Sequence, residues 1–149
     1  MIRVSDISFD PATELAAFQT AASDAGAVVS FTGRVRDDGA TETLILSHYA
    51  GFTEAQIENF VAEARRRWRL QACTILHRVG EMAVGEPIVF VATASAHRRD
   101  AFEACDFLMD KLKSEAPFWK QEKKAGKRVW IEPREQDKDS LKRWDDARS

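Results

Sequence analysis

Between Arg99 and Pro117 the sequence specifies a helix and then forbids its continuation. Phe102, Cys105, Met109 and Leu112 recur at spacings of three and four, which predicts a helix from about Arg99 to Lys113 with that stripe buried. Pro117 has no backbone N–H and clashes with a preceding helical turn, so the chain must change direction there. Lys113 leaves the helix before the turn and Lys120 follows it, so the two can converge although they are seven residues apart. Two neighbouring ammonium groups disfavour double protonation. One lysine can then act as a neutral nucleophile or base while the other stays cationic. Phe118 and Trp119 are placed to wall such a site and lower its dielectric.

The rest of the chain alternates helical and strand patterns. A short strand is expected over residues 2–7. Asp10-Pro11 is a helix start, and a helix to about Asp24 would bury Leu15, Phe18 and Ala22 and end at Gly26. Gly26 to Phe31 reads as a buried strand. Leu44 to Tyr49 reads as the next one, with Asp38-Gly39 as a turn that could pair the two as a hairpin. Thr53 and Gln56 suggest a capping box, followed by a stripe of Ile57, Phe60, Val61, Ala64 and Trp68. Arg65, Arg66 and Arg67 read as a solvated face. Strands are expected at Ala72 to His77, Ile88 to Ala94 and Val129 to Ile131, with Gly80 to Gly85 as a turn region. The pattern is α+β, helices packed on antiparallel or mixed sheets. It forms one domain over 1–134, followed by a charged tail over 135–149 in which Trp144 is the candidate anchor.

No apolar run is long enough to span a bilayer, and the first residues lack a signal-peptide pattern, so a cytoplasmic location is the expectation. Cys73 and Cys105 are far apart among apolar neighbours and read as reduced core residues; no metal site is expected. Charge is uneven. Residues 1–110 hold ten basic and sixteen acidic side chains, whereas 111–128 hold seven basic and two acidic. A basic segment on an acidic body points to a local anion site, or to a solvated lysine-rich surface, more than to a nucleic-acid-binding face.

Two further clusters carry anion chemistry. Phe31-Thr32-Gly33-Arg34-Val35-Arg36 ends a buried strand, where Arg36 can hold a phosphate through two parallel hydrogen bonds. Ser95-Ala96-His97-Arg98-Arg99 joins a strand to a helix N-terminus, whose free N–H groups favour anions and where His97 and Arg98 add donors.

Together with His77-Arg78-Val79-Gly80-Glu81, Val84-Gly85-Glu86, Ala116 to Glu122, Trp130 and Arg134, these stretches resemble the large, catalytic subunit family of molybdopterin synthase over about residues 26–134. The resemblance implies an α/β hammerhead-like domain with an additional antiparallel sheet. It implies a sulfurtransferase of molybdenum cofactor biosynthesis. In that reaction the C-terminal thiocarboxylate of a small ubiquitin-like subunit gives its sulfur to cyclic pyranopterin monophosphate (precursor Z), forming the molybdopterin dithiolene. It implies a homodimer within a heterotetramer, no bound cofactor, no nucleic acid and no membrane. By resemblance Lys113 and Lys120 are catalytic. Arg36, His97 and Arg98 hold the pterin phosphate, with His97 and Arg98 offered across the dimer interface. Phe31 and Met109 pack near the pocket, and Glu122 and Arg134 orient its polar groups. The competing readings are a degenerate binding module without turnover and, more weakly, a nucleic-acid binder using Lys111 to Arg128.

Overall fold

β6, Pro87–Ser95, is the centre of the molecule, because it is buried on both faces along most of its length. It lies between β4 (Leu70–Arg78) and β2 (Ala27–Arg34), antiparallel to both, and β1 (Ile2–Ser5) adds to β4 in parallel. The side chains of β6 therefore alternate between two apolar clusters, as the two-residue period of a strand requires. Val89 and Val91 join Ile75 and Cys73 beneath two helices, α2 (Phe52–Arg67) and α3 (Arg98–Ser114). Phe90, Ala92 and Ala94 join Leu76 and Phe18 beneath α1 (Pro11–Ala21). Each fully buried aromatic or branched side chain contributes roughly 1.5–3 kcal/mol to this arrangement.

The second sheet runs β5 (Gly80–Ala83), β3 (Thr43–His48), β7 (Phe118–Lys124) and β8 (Lys127–Ile131), antiparallel throughout. Leu44, Leu46 and Met82 pack its inner face against Val35 and Val79. The chain then forms α4 (Glu135–Leu141) and a short 3-10 turn, Lys142–Trp144. The computed structural model describes residues 1–39, 41–131 and 135–145. The α+β class with an additional antiparallel sheet is the observed architecture.

Several local expectations are corrected. β2 and β3 do not form a hairpin: β2 pairs with β6 and β3 with β5 and β7, because β2 is the apolar partner that completes the sheet over α3. Gly80 to Ala83 is a strand of the second sheet, where Met82 fills the core. α1 ends at Ala21, short of Asp24. The cap of α2 is Gly51, whose N–H donates to the Glu54 carboxylate, with no Thr53–Gln56 box. Phe102 is exposed on α3, facing away from the core that holds Cys105 and Leu112. Arg67 is half-buried: it pairs with Glu63 at 2.8 Å, donates to the Trp144 carbonyl at 2.9 Å and lies over the Phe107 ring.

The C-terminal elements close against α3. The Trp144 ring meets Trp68 and Phe107 edge to face, its Nε1–H donates to Asp110, and Arg143 bridges Asp106 and Asp110.

Candidate functional site

The antiparallel return of α3 along β6 sets the polarity of the site. α3 begins beside the end of β6, at Ser95, and so its last turn comes back to the start of β6. That pole also holds the end of β2, leading to Arg36, and the end of β4, at His77 and Arg78. Lys113 lies on the last turn of α3, where a cation complements the negative end of the helix dipole.

The turn at Pro117 is fastened from below. Thr53, fully buried at the start of α2, donates its hydroxyl to the Pro117 carbonyl at 3.1 Å and accepts the Tyr49 N–H at 3.1 Å. β7 then leaves with Phe118, Lys120 and Glu122 on one face, in register with His48, Leu46 and Leu44 of β3. This brings the Lys120 side chain within reach of the charge of Lys113. Burial, followed by the charge of Lys113, holds the Lys120 ammonium below the ordinary lysine range, against the pull of Asp137 and Glu122. Asp137 belongs to α4, whose backbone is tied to the exit of α3 by Ser114 Oγ donating to the Asp137 carbonyl at 2.6 Å.

Two other lysines of the basic segment are engaged elsewhere. Lys111 pairs with Glu115 and Glu63, and Lys124 with Glu122 and Asp38. Glu122 also accepts a hydrogen bond from Thr41 Oγ1 at 3.0 Å, so it tethers the segment after Arg36 to the strand that carries Lys120.

Arg36 is exposed one residue beyond buried Val35, which is held between Glu86 and Gly85 by backbone hydrogen bonds. Phe31 and Met109 line a groove of about 430 Å³ between β2 and α3, together with Phe102 and Arg99. Neither lysine lines it. His97 caps α3 and Arg98 is its first residue, both exposed. The fifteen residues from Arg98 to Lys113 place them about 22 Å apart along the helix. One chain therefore joins Lys113 to Lys120, sets Arg36 at the same pole, and holds His97 and Arg98 at the other. Arg134 lies outside the described residues.

Sequence reasoning assigned no role to His77, which the structure places beside the lysine pair. Its ring stacks on Phe118 with centroids 4.0 Å apart and planes inclined by 18°. Burial, reinforced by the charges of Lys113, Lys120 and His48 and opposed by the Arg78 carbonyl, pushes it down to about 4, so it is uncharged at neutral pH. The available signal was its position: two and four residues after Ile75 and Cys73, on the strand face that looks toward α2 and α3. Among the described residues no group of three or more His, Cys, Asp or Glu side chains could hold a metal ion, and no helix is long and apolar enough to cross a membrane.

Comparison with known proteins gives the family and the fold. The sequence profile of the family described as MoaE protein matches residues 4–115. A molybdopterin synthase catalytic subunit of Mesorhizobium japonicum is 49% identical over 146 residues, covering 96% of this chain and 92% of the relative. That of Escherichia coli K12 is 49% identical over 122 residues, covering 80% of this chain and 81% of the relative. The solved molybdopterin biosynthesis MoaE protein of Burkholderia ambifaria superposes with a TM-score of 0.84 at 42% identity, covering 97% of both chains. The fold, the lysine-bearing turn and these matches have one reading: the chain belongs to the MoaE family, the family of molybdopterin synthase catalytic subunits.

Proposed function

We propose that this chain carries out the sulfur-transfer step of molybdopterin synthesis, at a site centred on Lys113 and Lys120. The donor is the C-terminal thiocarboxylate of a small ubiquitin-like subunit, and the acceptor is cyclic pyranopterin monophosphate. The observation that carries this reading is the convergence of Lys113, on the last turn of α3, and the depressed Lys120 of β7. A thiocarboxylate and a phosphate are both anions, and a paired site with one depressed lysine supplies a cation to bind them and an amine to exchange protons. Lys113 engages the incoming tail, and Lys120 stabilises charge that develops on the pterin. Arg36 holds the phosphate, and Phe31 and Met109 pack the approach. Glu122 and Arg134 orient polar groups around it.

His97 and Arg98 enter as residues of a second copy. At about 22 Å from Lys113 along α3, they are too distant to share one pterin with the lysines of their own chain. On this reading the working unit is a dimer of this chain with a small subunit on each copy, located in the cytoplasm and carrying no bound cofactor, since the sulfur arrives on the partner. Reconstitution tests it: the chain is mixed with thiocarboxylated small subunit and the cyclic pterin, and dithiolene product is assayed. No product from folded, correctly paired components overturns the reading.

A further inference from the structure

Two features of the sequence have no task in the reading above: Arg78, at the end of β4, and Val84-Gly85-Glu86, the turn that joins β5 to β6. The structure brings them together against the exit of β2. Arg78 is buried, with 6% of its surface exposed. Its guanidinium donates through Nη1 to Glu86 Oε1 at 3.0 Å and through Nη2 to the Asp6 carbonyl at 3.3 Å. Glu86 Oε2 accepts the Ala83 N–H at 2.5 Å, so both oxygens of the carboxylate are held. The Ala83 N–H, and after it Arg78, keep that carboxyl below the ordinary glutamate range. The same turn grips the strand that leads to Arg36. Val35 donates its N–H to the Glu86 carbonyl at 2.9 Å, and its carbonyl accepts the Gly85 N–H at 2.8 Å. Arg34 Nε donates to the Gly85 carbonyl at 3.0 Å. Gly85 has a φ of +89°, which glycine adopts without steric cost.

We propose that Glu86 is a positioning residue for Arg36: ion-paired to buried Arg78, it locks the turn whose backbone holds Val35, and so fixes where Arg36 presents its guanidinium to the substrate phosphate. The sheet itself cannot do this. The pairing of β2 with β6 shifts register between Gly33 and Arg34 and ends at Pro87, and proline has no N–H to donate. From Val35 onward the turn replaces the ladder. The far end of the segment is pinned separately, by Thr41 Oγ1 donating to Glu122 at 3.0 Å. The two arginines of the motif thereby divide. Arg34 is bound to the turn, and Arg36 stands exposed on the span between the two tethers. The inference rests on the reading of Arg36 as the residue that holds the pterin phosphate.

The test measures binding of cyclic pyranopterin monophosphate by calorimetry to wild type, Arg36→Ala, Glu86→Gln and the double variant, with folding checked by urea midpoints. Arg36→Ala removes a charge-assisted phosphate contact, and affinity is expected to fall about tenfold or more. Glu86→Gln keeps the side-chain shape but leaves Arg78 without its counter-charge, and affinity is expected to fall about fivefold, part of the Arg36 effect. In the Arg36→Ala background the same substitution adds nothing, because Glu86 acts through Arg36. In the reconstituted system Glu86→Gln raises KM for the pterin and leaves kcat and the KM for the small subunit unchanged. Wild-type affinity in folded Glu86→Gln beside a weakened Arg36→Ala overturns the proposal alone. So does an additive loss in the double variant, which would assign the effect to structure at large. Wild-type affinity in Arg36→Ala overturns the phosphate assignment and the proposal with it. If Glu86→Gln does not fold, Glu86→Asp, which keeps the charge and shortens its reach, decides by the same cycle. The binding measurement needs no small subunit, so its result stands even if reconstitution yields no dithiolene.

Discussion

Lys113, on the last turn of α3, and Lys120, on β7, converge across the Pro117 turn closely enough that the charge of Lys113 adds to burial in holding the Lys120 ammonium below its ordinary range. Replacing Lys120 with Ala is expected to lower turnover by about a hundredfold or more, the usual scale for losing a group that meets developing charge. Lys120→Arg preserves the cation but cannot release a proton near neutral pH. It should retain binding of the anionic pterin while losing the lysine-dependent limb of the pH–rate profile. In the wild type that limb lies below 10.5, in the direction in which Lys120 is shifted. Equal activity of the Lys and Arg proteins across pH would show that Lys120 acts only as a fixed charge.

The length of α3 separates the two anion-binding clusters, and this has a stoichiometric signature. Lys113→Ala and Arg98→Ala proteins should each be nearly inactive. After they are unfolded and refolded together, random pairing gives half mixed dimers, each with one intact composite site. Recovery of about a quarter of wild-type activity is expected. No recovery above the two parents would place Arg98 outside the site.

Thr53 is a stability element for the same turn. Thr53→Val keeps the shape but strands the Pro117 carbonyl and the Tyr49 N–H without their buried partner. The expected cost is about 1–3 kcal/mol in urea unfolding. Turnover should fall further than stability predicts, because the Lys120 register depends on that carbonyl.

His77 couples the fold to acid. Its folded-state value of about 4 lies below the 6.5 of an unfolded imidazole. Between those values the unfolded chain binds more protons, so stability is lost as pH falls from 6.5 toward 4. At pH 5 the deficit relative to pH 8 is about 2 kcal/mol from this group. Urea midpoints of wild type and His77→Gln at the two pH values measure it, and an identical pH dependence in both would remove His77 as the source.

The helix from Arg99 and its stop at Pro117 are legible in sequence because periodicity and proline stereochemistry are local. α3 runs one residue further at each end. β7 is not legible: Lys120-Gln121-Glu122-Lys123-Lys124 has little intrinsic strand preference, and pairing with β3 on one side and β8 on the other makes it a strand. The β2–β3 hairpin fails for the same reason in reverse. Adjacent strands pair by default, but β2 finds a more apolar neighbour sixty residues along. Phe102 belongs to the predicted stripe yet faces out, since a sequence pattern cannot say where the sheet ends beneath a helix. His77 escapes notice because its neighbours come from α3, β3 and β7, and no spacing along the chain announces them.

The strand order β1-β4-β6-β2 also sets a timetable for biosynthesis. β1 pairs with residues 75–78 and β2 with residues 87–95. While the ribosome is still making α2, the first two strands have no partners within the sheet. β1 can pair once Arg78 has emerged, but β2 takes its place only after Ser95, with β6 inserting between β4 and β2. Contacts so distant in sequence fold slowly and leave apolar edges uncovered meanwhile. The nascent chain is therefore most exposed to mispairing over the first ninety-odd residues, well before the lysine pair exists.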